Sequence, residues 1–141
     1  MTTFPTYLLD ADLSPSMCTP MCAGGAQAYC HHDFFALGTP DPLWVSVLVQ
    51  SGMTFVTVDS DMIHKNVIRI TLMTEGARAL FLFGDFGNMK LRTKLQWIER
   101  CWPIVEASYM RRQPGCFRVD SNGNLRPLQL HSIFQKVATM P

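Results

Sequence analysis

Short runs of β-branched, aromatic and leucine residues alternate along this chain with segments of helical period. That alternation limits the folds open to it more than any other feature. Tyr7-Leu8-Leu9 follows Pro5 and ends in Asp10, the pattern of a short buried strand. Met53 to Val58 is a continuous β-branched and aromatic run, and Ala79 to Phe83 is a second, both reading as strands buried on two faces. Ala26 to Cys30 supplies a further strand. Between these lie helices. Ser14-Pro15 is a cap and first-turn pair opening a helix within Leu13 to Cys22, which Pro20 shortens or breaks. Asp41-Pro42 opens the next, which ends at Ser51-Gly52. Ile63, Val67, Ile70 and Met73 give Met62 to Glu75 a helical period, and Gly76 stops it. Leu91, Leu95, Ile98, Trp102 and Val105 mark a long amphipathic helix over Met89 to Met110, with a kink expected at Pro103. Asn122-Gly123, between Cys116–Val119 and Leu125–Leu128, signals a hairpin, and Leu130 to Ala138 reads as a weak helix or tail. Strands alternating with helices predict an α/β protein with a mainly parallel central sheet.

A length of 141 residues with no interdomain linker predicts one domain over 1–141, with a core about 5–110 and a hairpin and tail over 115–141. The hydrophobic fraction of 48% against 16% charged residues excludes intrinsic disorder. Twelve Lys+Arg against 11 Asp+Glu give a net charge of +1, which excludes a strongly basic, field-driven nucleic-acid binder but leaves room for a local basic groove. The longest apolar run, Pro42 to Val49, is interrupted by Ser46 and falls well short of the roughly 18 residues of a membrane helix. Met1 to Leu9 carries no basic residue and does not read as a signal peptide. Five cysteines, an odd count, and nine methionines suit a reducing compartment. The expectation is a soluble, cytoplasmic protein with no membrane partner.

In parallel sheets ligands sit beyond the carboxyl ends of the strands. Acids cluster at those positions. Asp10 follows the first strand, with Asp12 two residues on; Asp59 follows the Met53–Val58 strand, with Asp61 two residues on; Asp41 heads a helix. Each has a plain structural use, since Asp is a good helix cap and Asp41-Pro42 needs no other role. Three segments agreeing on one edge favour a site. Carboxylates crowded together repel strongly unless a divalent cation neutralises them. Mg²⁺ and Mn²⁺ take such oxygens and keep positions open for phosphate, which points to metal-assisted phosphodiester hydrolysis.

Tyr7-Leu8-Leu9-Asp10-Ala11-Asp12-Leu13-Ser14 resembles the first strand of PIN-like nucleases. Phe34 to Val45, with Gly38-Thr39-Pro40-Asp41-Pro42-Leu43-Trp44 at its centre, resembles the Gly-(Ser/Thr)-x-Asp-x-x-Trp segment of the VapC-type toxin subfamily, and Met53 to Asp61 resembles that group's strand end. The likeness covers residues 7 to 110; Leu13 to Gly25 contains no acid, where many PIN domains carry one on an early helix. The resemblance implies a three-layer α/β/α sandwich and an Mg²⁺- or Mn²⁺-dependent endoribonuclease. It also implies the toxin of a toxin–antitoxin pair, held inactive by a cognate protein antitoxin. Carried over, Asp10, Asp41 and Asp59 are the metal-ligand carboxylates, Asp61 an additional ligand or supporting group, and Thr57 a hydrogen-bonding orienter. Lys65 and Arg69, four apart on one helix face, are candidate RNA phosphate contacts, although a solvated helix face explains most such residues equally. Lys90, Arg92 and Lys94 are weaker candidates of the same kind.

Three other constellations stand beside this one. Asp10-x-Asp12-x-Ser14, with Gly84-Asp85, resembles the nucleophile and metal loops of haloacid-dehalogenase-type phosphatases, but Asn88 stands where that loop carries an acid, and Asp41 and Asp59 are left without a role. Cys18, Cys22, Cys30, His31 and His32 are zinc-ligand types at a spacing that matches no common zinc motif, so structural thiols and histidines are the better reading. Trp44, Trp97, Trp102, Phe34 and Phe35, with nine methionines, are candidates for a homodimer or antitoxin surface on a catalytically depleted, protein-binding domain; aromatic stripes at helical spacing are usually core, but Trp97 and Trp102 lie five apart, which leaves one for an interface.

Overall fold

A computed structural model of the chain describes residues 4–36, 41–58 and 76–128. The expected Met62–Glu75 helix and the Leu130–Ala138 tail lie outside the described residues. Strand β1 (Thr6–Leu9) leads through a 3-10 turn (Pro15–Met17) and a one-turn helix α1 (Cys18–Met21) to β2 (Gln27–Cys30). Ser14 caps that turn, its side chain accepting the Ser16 amide, and Pro15 takes the first position where no amide is missed. The expected helix therefore divides in two, with Pro20 in the short second piece. Helix α2 (Asp41–Ser51) ends at Gly52, whose φ of 73° is the left-handed conformation a C-terminal glycine supplies. Strands β3 (Thr54–Thr57) and β4 (Arg78–Leu82) follow, then helix α3 (Leu91–Arg112) and the hairpin β5 (Cys116–Val119) and β6 (Leu125–Pro127). Asp120 Oδ1 accepts the amides of Asn122 and Asn124, both at 2.9 Å, and fixes the hairpin turn.

The six strands form one sheet in the order β2-β1-β3-β4-β5-β6. The first five strands run parallel and β6 pairs antiparallel with β5. The inner strands β1, β3 and β4 are buried on both faces because both are covered. Tyr7, Leu9, Val56, Leu80, Leu82, Phe117 and Val119 face α1 and α3, while Leu8, Phe55, Ala79, Phe81 and Cys116 face α2. Helices thus cover both faces of the α/β sheet, and strict alternation within each strand divides the two cores. Among the described residues no helix is long and apolar enough to cross a membrane.

Helix α3 buries a wider face than the heptad-like stripe suggests. Trp97, Ile98, Cys101, Trp102, Val105 and Tyr109 are buried, while Leu91 in the first turn is 46% exposed. The helix continues on both sides of Pro103, between the buried Trp102 and Val105. Neither α3 tryptophan is left for an interface, which corrects the sequence expectation. Trp97 packs on Phe83 and Phe86, with ring centroids 5.4 and 5.5 Å away, and donates Nε1–H to the Ser121 carbonyl. Trp102 meets Tyr7 edge-on at 5.2 Å. The loop after β4 folds over the first turns of α3, so a residue pointing off the sheet axis still finds apolar cover. Trp44 is buried against Phe55, whereas Phe34 is 52% exposed.

One acid is buried in this core. Tyr7 donates its hydroxyl to Glu106 Oε1 at 2.8 Å, and a Cβ at Gly24 would stand 2.8 Å from Glu106 Oε2, so glycine there leaves the carboxylate its space. Burial pushes the Glu106 carboxyl above its usual range, offset in part by the Tyr7 hydrogen bond. Tyr7 itself is raised, first by burial and then by the Glu106 charge. A raised carboxyl binds more protons folded than unfolded, so stability is full below the ordinary glutamate value and falls as pH rises through the folded one. The Glu106 contribution to thermal stability is therefore expected to be lost as pH climbs from about 4.3. Glu106→Gln keeps an acceptor for Tyr7 and should remove this decline. Melting temperatures between pH 4 and 8 check it, and an unchanged slope in the variant would contradict the assignment.

Candidate active site at the carboxyl edge of the sheet

The strand order places a crevice at one point. From β1 the chain steps outward to β2 along the α1 face, then returns past β1 to β3 along the α2 face. The two connections leave opposite faces, so the carboxyl ends of β1 and β3 are open between them, the position where ligands bind in such sheets. Asp10 is the first residue beyond β1 and stands at this point. Its amide donates to the Val56 carbonyl at 2.9 Å, which extends the β1–β3 ladder by one bond and fixes the backbone.

The Asp10 side chain is held just as firmly. Thr57 Oγ1 donates to Asp10 Oδ2 at 2.7 Å, and the Ala11 amide donates to Oδ1 at 2.7 Å. Asp10 is 9% exposed and Thr57 is fully buried. A buried carboxylate receiving donors on both oxygens has a fixed orientation, which is what a ligand to a hard cation needs. Thr57 was singled out in the sequence as an orienter on resemblance, and the structure brings its hydroxyl to Asp10.

The remaining candidates fare differently. Helix α2 begins at Asp41 and runs from the carboxyl edge, where β2 ends, back toward the start of β3; the Asp41 side chain lies outside the description. Trp44, one turn on, packs edge-on against His31 at 5.2 Å, which ties the head of α2 to the end of β2. Asp59, Asp61, Lys65 and Arg69 lie outside the described residues, which reach this edge at Val58. Asp12 is exposed. Among the described residues no group of three or more His, Cys, Asp and Glu gathers to hold a metal. Asp10 is thus the one described carboxylate of the expected set, and its hard oxygen donors fit Mg²⁺ or Mn²⁺. His31 is nearly buried among Phe35, Trp44 and His32, in ring contacts. Asp33 Oδ2 accepts the Cys30 amide, capping the turn after β2. Cys18 and Cys30 sulfurs lie 3.7 Å apart as thiols, and burial raises the Cys18 thiol to about 12.

Sequence reasoning missed the other half of this edge. The residue row that contains Thr57 crosses the sheet in register: Thr57 opposite Phe81, Phe81 opposite Arg118, Arg118 opposite Arg126. Phe81 belongs to the α2-side core, so the row faces that side. It borders a cavity of about 490 Å³ at the carboxyl ends of β4 and β5, lined also by Phe83, Gly84 and Asp120. Asp120 is held below the usual carboxylate range, chiefly by the Asn124 and Asn122 amides, with the Arg126 charge the smallest contribution. The alternation Cys116-Phe117-Arg118-Val119 signals an outward Arg118, but nothing in the sequence gives its neighbour across the ladder.

No protein-family model, curated protein or solved structure matches the chain. Fold and site together define an open, mostly parallel α/β protein with a rigidly held carboxylate in its switch-point crevice.

Proposed function

We propose that the protein is a PIN-like, three-layer α/β/α ribonuclease that uses Mg²⁺ or Mn²⁺ to cleave RNA internally. The observation that supports this reading most is Asp10, buried at the crevice between β1 and β3 and oriented by the Thr57 hydroxyl. The metal would be held by Asp10, Asp41 and Asp59, with Asp61 assisting. When bound, it supplies activation of water and stabilisation of charge on the phosphorus oxygens. Thr57 keeps Asp10 Oδ2 aimed, and the Ala11 amide fixes Oδ1, so little reorganisation is needed when substrate arrives. Lys65 and Arg69 would contact RNA phosphates. In the cell the protein would act in the cytoplasm as a toxin restrained by a cognate protein antitoxin.

The test is direct. Purified full-length chain is incubated with a labelled single-stranded RNA in Mg²⁺, in Mn²⁺ and in EDTA. Internal cleavage is expected with either ion and none in EDTA, and Asp59→Asn should abolish it. A phosphatase of the haloacid-dehalogenase kind would instead release phosphate from small monoesters, depend on both Asp10 and Asp12 and tolerate Asp59→Asn. That pattern would overturn the proposal, as would activity undiminished by EDTA.

A further inference from the structure

Two arginines directly opposed across an antiparallel pair repel each other, and an anion shared between them relieves that repulsion. Arg118 and Arg126 are such a pair, both exposed, at the carboxyl edge of the sheet. Of the nearby acids, Asp120 feels the Arg126 charge only weakly, as the smallest contribution to its lowered carboxyl. The acid nearest to hand, Asp120, spends Oδ1 on two amides of the hairpin turn. Both arginines line the 490 Å³ cavity, whose walls include Phe81, Phe83 and Gly84. They also continue the row that begins at Thr57, on the same face of the sheet as the carboxylate crevice. With strands about 4.8 Å apart, Arg118 stands roughly 10 Å from the Thr57 position, two strands away. An extended polyanion lying across the strand ends would meet the crevice and then the arginines in turn.

We propose that Arg118 and Arg126 form a phosphate clamp that binds the backbone of single-stranded RNA beside the bond being cut. The planar guanidinium forks match phosphate oxygens, and the cavity gives the strand a depression to enter. The clamp lies in the hairpin, outside the stretch that resembles PIN-like nucleases. It fixes the register of the strand and carries no base preference of its own. The assignment of RNA rests on the ribonuclease reading above, but the binding it describes does not require cleavage.

The experiment measures binding of a single-stranded oligoribonucleotide to the full chain in EDTA, across a series of salt concentrations. Arg118→Gln/Arg126→Gln is expected to weaken binding about tenfold or more and to reduce the salt slope by about 1.4, the loss of two phosphate contacts to a single strand. Arg118→Lys/Arg126→Lys should retain most of the slope. Arg111→Gln, an exposed cation in the last turn of α3 at the opposite end of the sheet, should change neither quantity. An unchanged affinity and slope in the double Gln variant would overturn the clamp, as would an equal loss in Arg111→Gln. Inorganic phosphate or a mononucleotide binding as tightly as the oligonucleotide would also overturn it, in favour of a small-anion site. Arginine-dependent binding without cleavage in any metal supports the clamp and defeats the ribonuclease reading. Metal-dependent cleavage unaffected by the double Gln variant does the reverse.

Discussion

Asp10→Asn is expected to lower metal-dependent RNA cleavage by at least about 100-fold while leaving the protein folded. Supporting groups around metal ligands are typically worth 10–100-fold, and removing a ligand's charge should cost no less. The fold survives because Asn retains an oxygen acceptor of the same size. Thr57 and the Ala11 amide can each still find a partner, after a rotation of the amide if needed. Thr57→Val provides the companion result. It preserves shape but removes the donor to Asp10 Oδ2 and should reduce cleavage about 10–100-fold by loosening the carboxylate. Thr57→Ser should restore most of that loss, since it returns the hydroxyl. Initial rates with saturating Mg²⁺, alongside a melting curve for each variant, check the set. Full activity in Asp10→Asn would remove the catalytic assignment.

The largest loss of stability is expected from Trp102→Ala, about 3–5 kcal/mol, the usual cost of emptying a buried Trp site. Trp102 is 1% exposed and sits where Tyr7 of β1 meets α3. It belongs to the larger of the two cores, with Met21, Val105 and Tyr109 among its members. The cavity left by Ala could not collapse readily, because β1 and α3 are both held in place by other contacts. The indole Nε1 has no acceptor at full hydrogen-bonding geometry and only opposes, as the smallest contribution, the rise of the Tyr7 hydroxyl, so the ring's value there is mainly packing. Trp102→Phe should accordingly cost less than half as much as Trp102→Ala. Urea unfolding midpoints of the three proteins check both parts. An equal loss for Phe and Ala would mean that the indole nitrogen has a partner after all.

The order and kind of the described elements were legible because each depends on local chemistry. Ser14-Pro15 set a turn start, Gly52 a helix end, and Asn122-Gly123 a hairpin, each through its own backbone preferences. The apolar β1, β3 and β4 runs announced burial on two faces, and the structure divides those runs between two cores. Trp97 was harder to place because its cover comes from Phe83 and Phe86, in a loop that sequence spacing on α3 cannot register. Glu106 likewise gave no signal, since its partner Tyr7 lies 99 residues away.

The sequence by itself determined the alternation of strands and helices, the acids that follow strands, and the likeness on which a ribonuclease is proposed. Only the tertiary structure decided which strands are neighbours. It set Thr57 against Asp10 and aligned Thr57, Phe81, Arg118 and Arg126 in one row. The physical reason is range. Propensities and caps act over a few residues, whereas strand register is settled by long-range packing and hydrogen bonding that no local stretch of the chain contains.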